Sequence, residues 1–389
     1  MIRDDYFADV PASHHADVAQ THWHARAAHS GCELIACVPA RDEEDRIGDA
    51  LASLARTLKP SDGIVVVVNG SSDATCAIAA AHLAAIAQPS CLAEVTFAEG
   101  RGSAPLARRI ALDAAHKEAP AAALFSFDSD SRCAPDLRCA YAVELARGYD
   151  LVCGTIGFDP EEAAMLPPAD ADAETLVREA RHLTREIAAR IDPDPFNPWP
   201  HHGNIGGANF VITGAAYRTV GGLPLPPSGE DRALLRLVHG HGLAVRYSDG
   251  PHVVTSCRIE GRAHGGLSDD LRFSRLCADP VVDEMLEPAE TLVLRHCARR
   301  AFLAARDQAA RAEILKGLGL GAEEIHAALG QPLPGLMWLA AEDTSPALRR
   351  TRLRRSDLRA VLPGLKALKT ELDAEEAGRH GSLAGAPSS

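Results

Sequence analysis

The chain has 389 residues, enough for one large domain with appendages or for two domains. Apolar residues make up 46% and charged residues 24%, a globular balance, and a net charge of −13 argues against a general nucleic-acid binder, which would be basic. No stretch approaches the roughly 18 apolar residues needed to span a bilayer, so membrane contact is expected to be peripheral at most.

The first residues lack the basic and apolar regions of a secretion signal. The ten cysteines are scattered with no C-x-x-C pair, which reads as reduced, mostly buried thiols in a cytoplasmic protein. Residues 1–30 carry five histidines (His14, His15, His22, His24, His29) and little apolar pattern. No Cys or Asp cluster completes a ligand set there, so a poorly ordered leader is favoured over a metal site.

From Glu33 the pattern becomes regular. "ELIACV" reads as a buried strand, and the helix after it puts Ile47, Leu51, Leu54 and Leu58 on one face. "GIVVVV", "AEVTFA" and "AALFSF" read as further strands, with helices over "DATCAIAAAHLAAIA" and "SAPLARRIALDAAHKEA" between them. Short apolar strands alternating with amphipathic helices imply a parallel sheet covered on both faces. Ligands of such sheets bind beyond the carboxyl ends of the strands. Four polar loops converge there: "PARDEE" (39–44), "NGSSDAT" (69–75), "EGRGS" (99–103) and "DSDS" (128–131). Helix capping accounts for Asp73 and Ser103. It does not account for two acids crowded directly after a buried strand.

Residues 159–200 are rich in proline, with one helix that has Leu176, Val177, Ala180, Leu183 and Ile187 on a face. They read as an excursion over the sheet edge. The strand-and-helix pattern resumes at "ANFVI" and "ALLRLVHGHGLAVRYS". The expected organisation is a leader over 1–30 and a main α/β domain over 31–275, whose first half, 31–135, carries the four polar loops and whose second half is 150–275. A helical extension over 276–375 and a disordered tail over 376–389 follow.

Asp128 and Asp130 are two residues apart, which in extended backbone points both to one side. Two hard carboxylates on one side suit Mg2+ or Mn2+, shared with a phosphate. Two further D-x-D pairs, Asp170–Asp172 and Asp192–Asp194, fall in the proline-rich excursion and read as solvated turns.

Five blocks, in order over residues 33–250, together resemble a family 2 type glycosyltransferase. They are "VPARDEEDRIGDALASL", "VVVVNGSSDAT", "EGRGSAPLARRIAL", "SFDSDS", and "GGANFVITGAAYRTVGGLP" followed by "SGEDRALLRLVHGHG". The resemblance implies the GT-A fold, a Rossmann-like mixed and mainly parallel α/β sheet flanked by helices, with a helical C-terminal extension. It implies a metal-dependent enzyme that moves a sugar from a nucleoside-diphosphate donor, UDP-linked in preference to GDP-linked, to an acceptor hydroxyl.

By that resemblance Pro39, Ala40, Glu43, Asn69 and Asp73 lie by the base and ribose, although family members commonly have Asp where Asn69 stands. Gly100, Arg101, Gly102 and Arg108 approach the diphosphate. Asp130 binds the metal directly, with Asp128 and Ser129 nearer the ribose or a metal-bound water. Asp231 is the catalytic base and Glu230 orients the acceptor. In "TSCRIEGRAHGG", Arg258 and Arg262 fold onto the diphosphate and His264 is a third metal ligand.

On the residues alone, the acids Glu230 and Asp231 at a helix start could equally reflect the helix dipole, worth roughly 0.3–1 kcal/mol. His201 and His202 fit an acceptor pocket or a packed pair. The run "LRRTRLRRSDLR" (348–359) fits anionic lipid or, better, a solvated face. The acceptor class stays open among a small metabolite, a lipid-linked saccharide and a polysaccharide. A catalytically inactive nucleotide-sugar-binding scaffold is the rival reading. A sugar-nucleotide pyrophosphorylase is weaker, because "PARDEE" has no glycine.

Overall fold

The computed structural model describes residues 18–25, 29–98, 102–168, 170–261 and 266–384. Gly100, Arg101, Arg262 and His264 lie outside the described residues. The chain divides into two compact units. Unit 1 is Met1–Leu166 with His201–Leu271, and unit 2 is Pro167–Pro200 with Arg272–Ser389.

Unit 1 is built on a nine-stranded mixed sheet in the order β1-β4-β3-β2-β5-β8-β7-β9-β6. In chain order these are β1 (Val18–Ala25), β2 (Leu34–Ala40), β3 (Gly63–Asn69), β4 (Ser90–Phe97), β5 (Ala123–Ser126), β6 (Ser131–Cys133), β7 (Leu151–Phe158), β8 (Phe210–Thr213) and β9 (Val245–Thr255). Strands β4, β3, β2 and β5 run parallel. Strand β8 is antiparallel to β5 and β7, and β7 is parallel to β9. The chain winds outward from β2 in both directions, which opens a crevice above the carboxyl ends of β2 and β5.

All seven residues of β2 are buried. Leu34, Ala36 and Val38 pack with Ile47, Leu51 and Leu54 of α1 (Ile47–Thr57) and Leu83 of α2 (Thr75–Ala85). Ile35 and Cys37 pack on the other side with Leu106 and Ile110 of α3 (Ala104–Glu118), and with Leu234 and Val238 further along the chain. A strand covered on both faces has no polar side to show, so it reads as an unbroken apolar run.

Unit 2 is helical. Ala180, Leu183, Ile187 and Ile191 of α6 (Ala171–Ile191) pack with Leu286, Leu292, Leu358, Leu362 and Leu365. A second cluster centres on Phe302, Leu315, Trp338 and Leu348. Arg295 is buried and donates to Glu287, Glu342 and the Leu348 carbonyl.

Four expectations change. Residues 18–25, read as part of a leader, form an edge strand paired antiparallel with β4, from Val18 opposite Phe97 to Ala25 opposite Cys91. The open edge of β4 can be satisfied by backbone alone, so no apolar pattern was needed to recruit them. The helix of the proline-rich excursion belongs to unit 2, because its apolar face is covered by residues far later in the chain, from Leu286 to Leu365.

The tail is helical through Ala384 in α14 (Leu358–Ala384), held to α6 by Arg190 with Asp373 and Glu376. Asp192 is no solvated turn: it is buried at the end of α6, ion-paired with Arg299 and 3.8 Å from His296. Asp170 caps the same helix by accepting from the Ala173 amide (3.1 Å).

All ten cysteines are free thiols. Among the described residues no helix is long and apolar enough to cross a membrane.

Candidate active site

The loops after β2 and β3 brace each other. The Asp42 amide donates to Ser71 Oγ (2.9 Å), and Asp42 Oδ1 accepts from the Ser72 amide (2.7 Å). The Glu43 amide donates to Thr75 Oγ1 (2.7 Å), the Glu44 amide to Asp73 Oδ2 (3.1 Å) and the Ala74 amide to Glu44 Oε2 (3.0 Å). These contacts satisfy donors at the starts of two helices that have no partner of their own. Burial opposes the charge on Asp73, but donors from Thr75 and Glu44 outweigh it and hold the carboxyl below its usual range. Asp73 is thus engaged as a brace. Pro39 and Ala40 lie inside β2, paired with Val67 and Val68.

Beside the braced loops is a pocket of about 380 Å3, lined by Arg41, Asn69, Gly70, Thr96, Phe97, Ala98 and Gly102. Its volume is that of a small-molecule site. Asn69 is buried at its base and donates to the Ser103 carbonyl (3.4 Å). Gly102 lines it because a Cβ there would meet the Phe97 ring at 3.1 Å. Sequence reading missed Arg41, Gly70, Thr96, Phe97 and Ala98. Phe97 closes an apolar strand and carries no sign that it borders a cavity.

Asp128-Ser129-Asp130 is a turn, closed by the Ser131 amide donating to the Asp128 carbonyl (3.1 Å). The two acids therefore do not share one side of extended backbone as the spacing suggested. Asp128 accepts from Arg108 Nη2 (2.8 Å). Asp130 accepts from Thr255 Oγ1 (3.1 Å) and lies 3.2 Å from Arg258. Ser129 is buried between them.

Arg258 also holds buried Glu43 through both guanidinium nitrogens, one at 2.8 Å. Burial, then the neighbouring charge of Asp128, pushes the Asp130 carboxyl up to about 7; Arg258 opposes this and Glu43 adds to it. Glu43 and Asp130 share the Arg258 guanidinium, and Asp128 and Glu230 share that of Arg108, which leaves negative charge in excess. Hard oxygen donors with unbalanced charge fit Mg2+ or Mn2+ held by one or two carboxylates and completed by phosphate oxygens and water. Among the described residues no three His, Cys, Asp or Glu side chains are grouped to hold a metal by themselves.

Glu230 and Asp231 open α8 (Glu230–Gly240), entered through Gly229 in the left-handed region at φ 74°. A glycine adopts that conformation without the steric cost other residues carry. Burial, then the charge of Glu230, raises the Asp231 carboxyl above its usual range. Nearby, His201 stacks on Tyr247 at 5.0 Å between ring centroids, and His202 meets the same ring edge-on at 5.5 Å. Strand register sets Tyr247 opposite Cys153, whose buried thiol senses the charge of Asp231. His201 and His202 are therefore a packed pair.

Arg108 joins the two acidic segments. Its side chain is 7% exposed. Nη2 donates to Asp128 (2.8 Å), Nε to Glu230 (3.0 Å), and Nη1 to Ser126 Oγ (2.8 Å) and the Gly207 carbonyl (2.7 Å). Gly207 must be glycine for this, since a Cβ would lie 2.6 Å from Arg108 Nη2. Arg108 was expected at a diphosphate; its guanidinium is instead engaged with side chains and backbone of the protein. Arg108→Met removes one cation from two carboxylates. It should cost stability approaching the roughly 3–5 kcal/mol of a broken buried ion pair. Urea unfolding checks this, and a loss under about 1 kcal/mol would remove Arg108 as the joint.

Parallel strands with helices on both faces, a pocket at their carboxyl ends, and two acidic segments held together there place a ligand site at this edge of the sheet. The family model described as glycosyl transferase family 2 matches residues 35–203. A search of curated proteins gives no match.

Among solved structures, the chain is similar to S. aureus TarS 1–349 in complex with UDP-GlcNAc, at 17% identity over 90% of this chain and 92% of that one (TM-score 0.41). It is similar to the mannosyltransferase PcManGT from Pyrobaculum calidifontis in complex with GDP-Man and Mn2+, at 16% identity over 90% of each chain (TM-score 0.43). It is also similar to glucosyl-3-phosphoglycerate synthase from Mycobacterium tuberculosis in complex with Mn2+, UDP and glucosyl-3-phosphoglycerate. That match has 16% identity over 69% of this chain and 80% of that one (TM-score 0.38).

Proposed function

We propose that unit 1 transfers a sugar from a nucleoside-diphosphate sugar, UDP-linked in preference to GDP-linked, to an acceptor hydroxyl with inversion. The observation that carries this reading is the single guanidinium of Arg108, which ties the Asp128–Asp130 turn to the Glu230–Asp231 helix start. A donor-holding segment and a base-bearing segment must keep a fixed separation for in-line displacement, and one buried cation between them supports that.

Asp130, with Asp128, would hold Mg2+ or Mn2+, which when bound supplies a Lewis acid for the departing diphosphate. The pocket beside Asn69 receives the base. Glu43 and Arg258 keep the first loop against the Asp130 turn. Glu230, fixed by Arg108, orients the acceptor. Asp231 takes the proton from its hydroxyl, and its raised pKa brings it nearer to that task. His264, Arg101 and Arg262 keep the ligand roles that the resemblance implies. Free thiols throughout support a cytoplasmic setting. The acceptor is a small metabolite, a lipid-linked saccharide or a polysaccharide.

A panel of nucleotide sugars with Mn2+ and with Mg2+, read as thermal stabilisation, tests this. A ligand at 100 times its dissociation constant adds roughly 2.7 kcal/mol. A UDP-sugar with metal should stabilise the chain and be consumed when acceptors are supplied. Stabilisation without turnover on any acceptor would favour the inactive scaffold. No stabilisation by any nucleotide sugar would overturn the reading.

A further inference from the structure

In unit 2, residues 278–285 and 350–356 run side by side. The Val282 amide donates to the Leu353 carbonyl (2.9 Å), the Arg355 amide donates to the Pro280 carbonyl (2.9 Å), and Val281 bridges Arg354. The inner side of this ribbon is apolar and covered, since Leu286 and, in part, Val282 and Leu353 join the core of unit 2. The outer side is apolar and uncovered: Val281 is 48% and Met285 49% exposed. The helix leading into the ribbon, α9 (Leu267–Leu276), adds Phe273 at 57% and Leu276 at 60% exposure. Exposed large apolar side chains are normally scattered singly, so four within thirteen residues call for an occupant.

The same segments are arginine-rich on an acidic protein. Segments 272–285 and 349–359 hold eight arginines against four acids, while the chain as a whole carries −13; Arg275 pairs with Glu174 (3.1 Å) and Arg350 lies 3.7 Å from Glu287. The acids are largely engaged by their own backbone. Asp279 accepts from the Ser356 amide (2.9 Å) and hydroxyl (2.8 Å), and Asp283 accepts from the Met285 amide (3.0 Å). Arg349, Arg352, Arg354 and Arg359 are exposed. Arginines between aliphatic side chains match the boundary of an anionic bilayer, where guanidinium groups meet phosphates and the apolar side chains reach the acyl region. A nucleic acid would use the charge but offer nothing to Leu276, Val281 and Met285, and only one aromatic ring is present for stacking.

We infer that this face of unit 2 docks on an anionic lipid surface. The inference stands apart from the donor site, because it needs neither metal nor nucleotide. Joined to the glycosyl-transfer reading, on which this one step rests, it narrows the acceptor to one presented at a bilayer, a lipid-linked saccharide above all.

The test is cosedimentation of the full chain with vesicles of phosphatidylcholine alone and with about 30% phosphatidylglycerol. Binding is expected to the anionic vesicles only and to weaken as salt is raised. Arg349→Gln, Arg352→Gln and Arg354→Gln together should lower partitioning at least about tenfold, given the contribution of each arginine near a charged surface. Leu276→Asn with Met285→Gln should lower it too, while its remaining binding stays salt-sensitive. Both variants alter exposed side chains, and unchanged unfolding midpoints would show that the fold is kept. No binding to anionic vesicles, or variants that bind as the parent does, would overturn the inference. So would binding of single-stranded RNA in place of vesicles, or self-association that Leu276→Asn abolishes with no vesicle binding. Vesicle binding without any sugar transfer would leave docking standing and remove only the acceptor step.

Discussion

Asp231→Asn should bind donor as the parent does and turn it over about 10²–10⁴ times more slowly, the usual worth of a general base. The exchange keeps shape and hydrogen bonding but removes the proton acceptor. Asp231 sits at the start of α8, where burial first, and then the charge of Glu230, raises its pKa; Arg108 and the Arg232 amide act in the opposite sense.

The sign of the pH dependence follows. The base works only when ionised, and a raised pKa moves the acid limb of kcat/KM above the ordinary carboxylate range. Activity should fall with pH earlier than a normal aspartate allows, and the limb should vanish in Asp231→Asn. Stereochemistry is the second readout. Arg108 donates to Asp128 of the turn through Nη2 and to Glu230 of the helix through Nε. In the proposed single displacement, with the donor diphosphate at the turn and the base on the helix, an α-linked donor should yield a β-linked product. An anomeric coupling that shows retention, or normal turnover in Asp231→Asn, would sink this mechanism while leaving the metal site open.

The half of unit 1 around β2 was legible because each strand is short, apolar and buried on both sides, and each is followed by a loop whose composition differs from it. The candidate acids stood out for the same reason: Asp128, Asp130, Glu230 and Asp231 stand where no packing argument needs them. Less visible were the partners. Arg258 and Glu43 are 215 positions apart, and nothing local to either marks the pair. Arg108 was placed at the diphosphate by the resemblance; its engagement depends on Asp128, Gly207 and Glu230, all distant in sequence. Strand β1 was missed because edge pairing draws on backbone groups common to every residue. Helix α6 was assigned to the wrong unit because an apolar face states that it must be covered, not by what.

Asp130→Ala should abolish metal-dependent stabilisation by nucleotide, removing an increment of roughly 2.7 kcal/mol at saturating ligand, yet leave the ligand-free protein as stable as before or more so. Both signs come from the same geometry. Asp130 is partly buried beside Asp128 and Glu43 with Arg258 as its nearest cation, so in the ligand-free protein its charge is held against desolvation and like-charged neighbours. Removing it relieves that crowding, and Arg258 keeps its contacts to Glu43. In the proposed complex with donor and metal the same carboxylate would become a ligand, so its loss should then be felt in full.

Asp192→Ala gives the opposite pattern. Asp192 also belongs to a D-x-D, but it is buried at the end of α6 against Arg299, and donors from His296 and Arg299 overcome its burial to hold its pKa down. Its removal should cost about 1–3 kcal/mol of stability, the range for an unsatisfied charged contact, and leave nucleotide binding unchanged. The two variants thus separate a carboxylate kept for a ligand from one kept for the fold, by thermal unfolding with and without donor and Mn2+. If Asp130→Ala retains metal-dependent stabilisation, the metal is held elsewhere, and the Asp128–Asp130 turn serves only as the partner of Arg108 and Arg258.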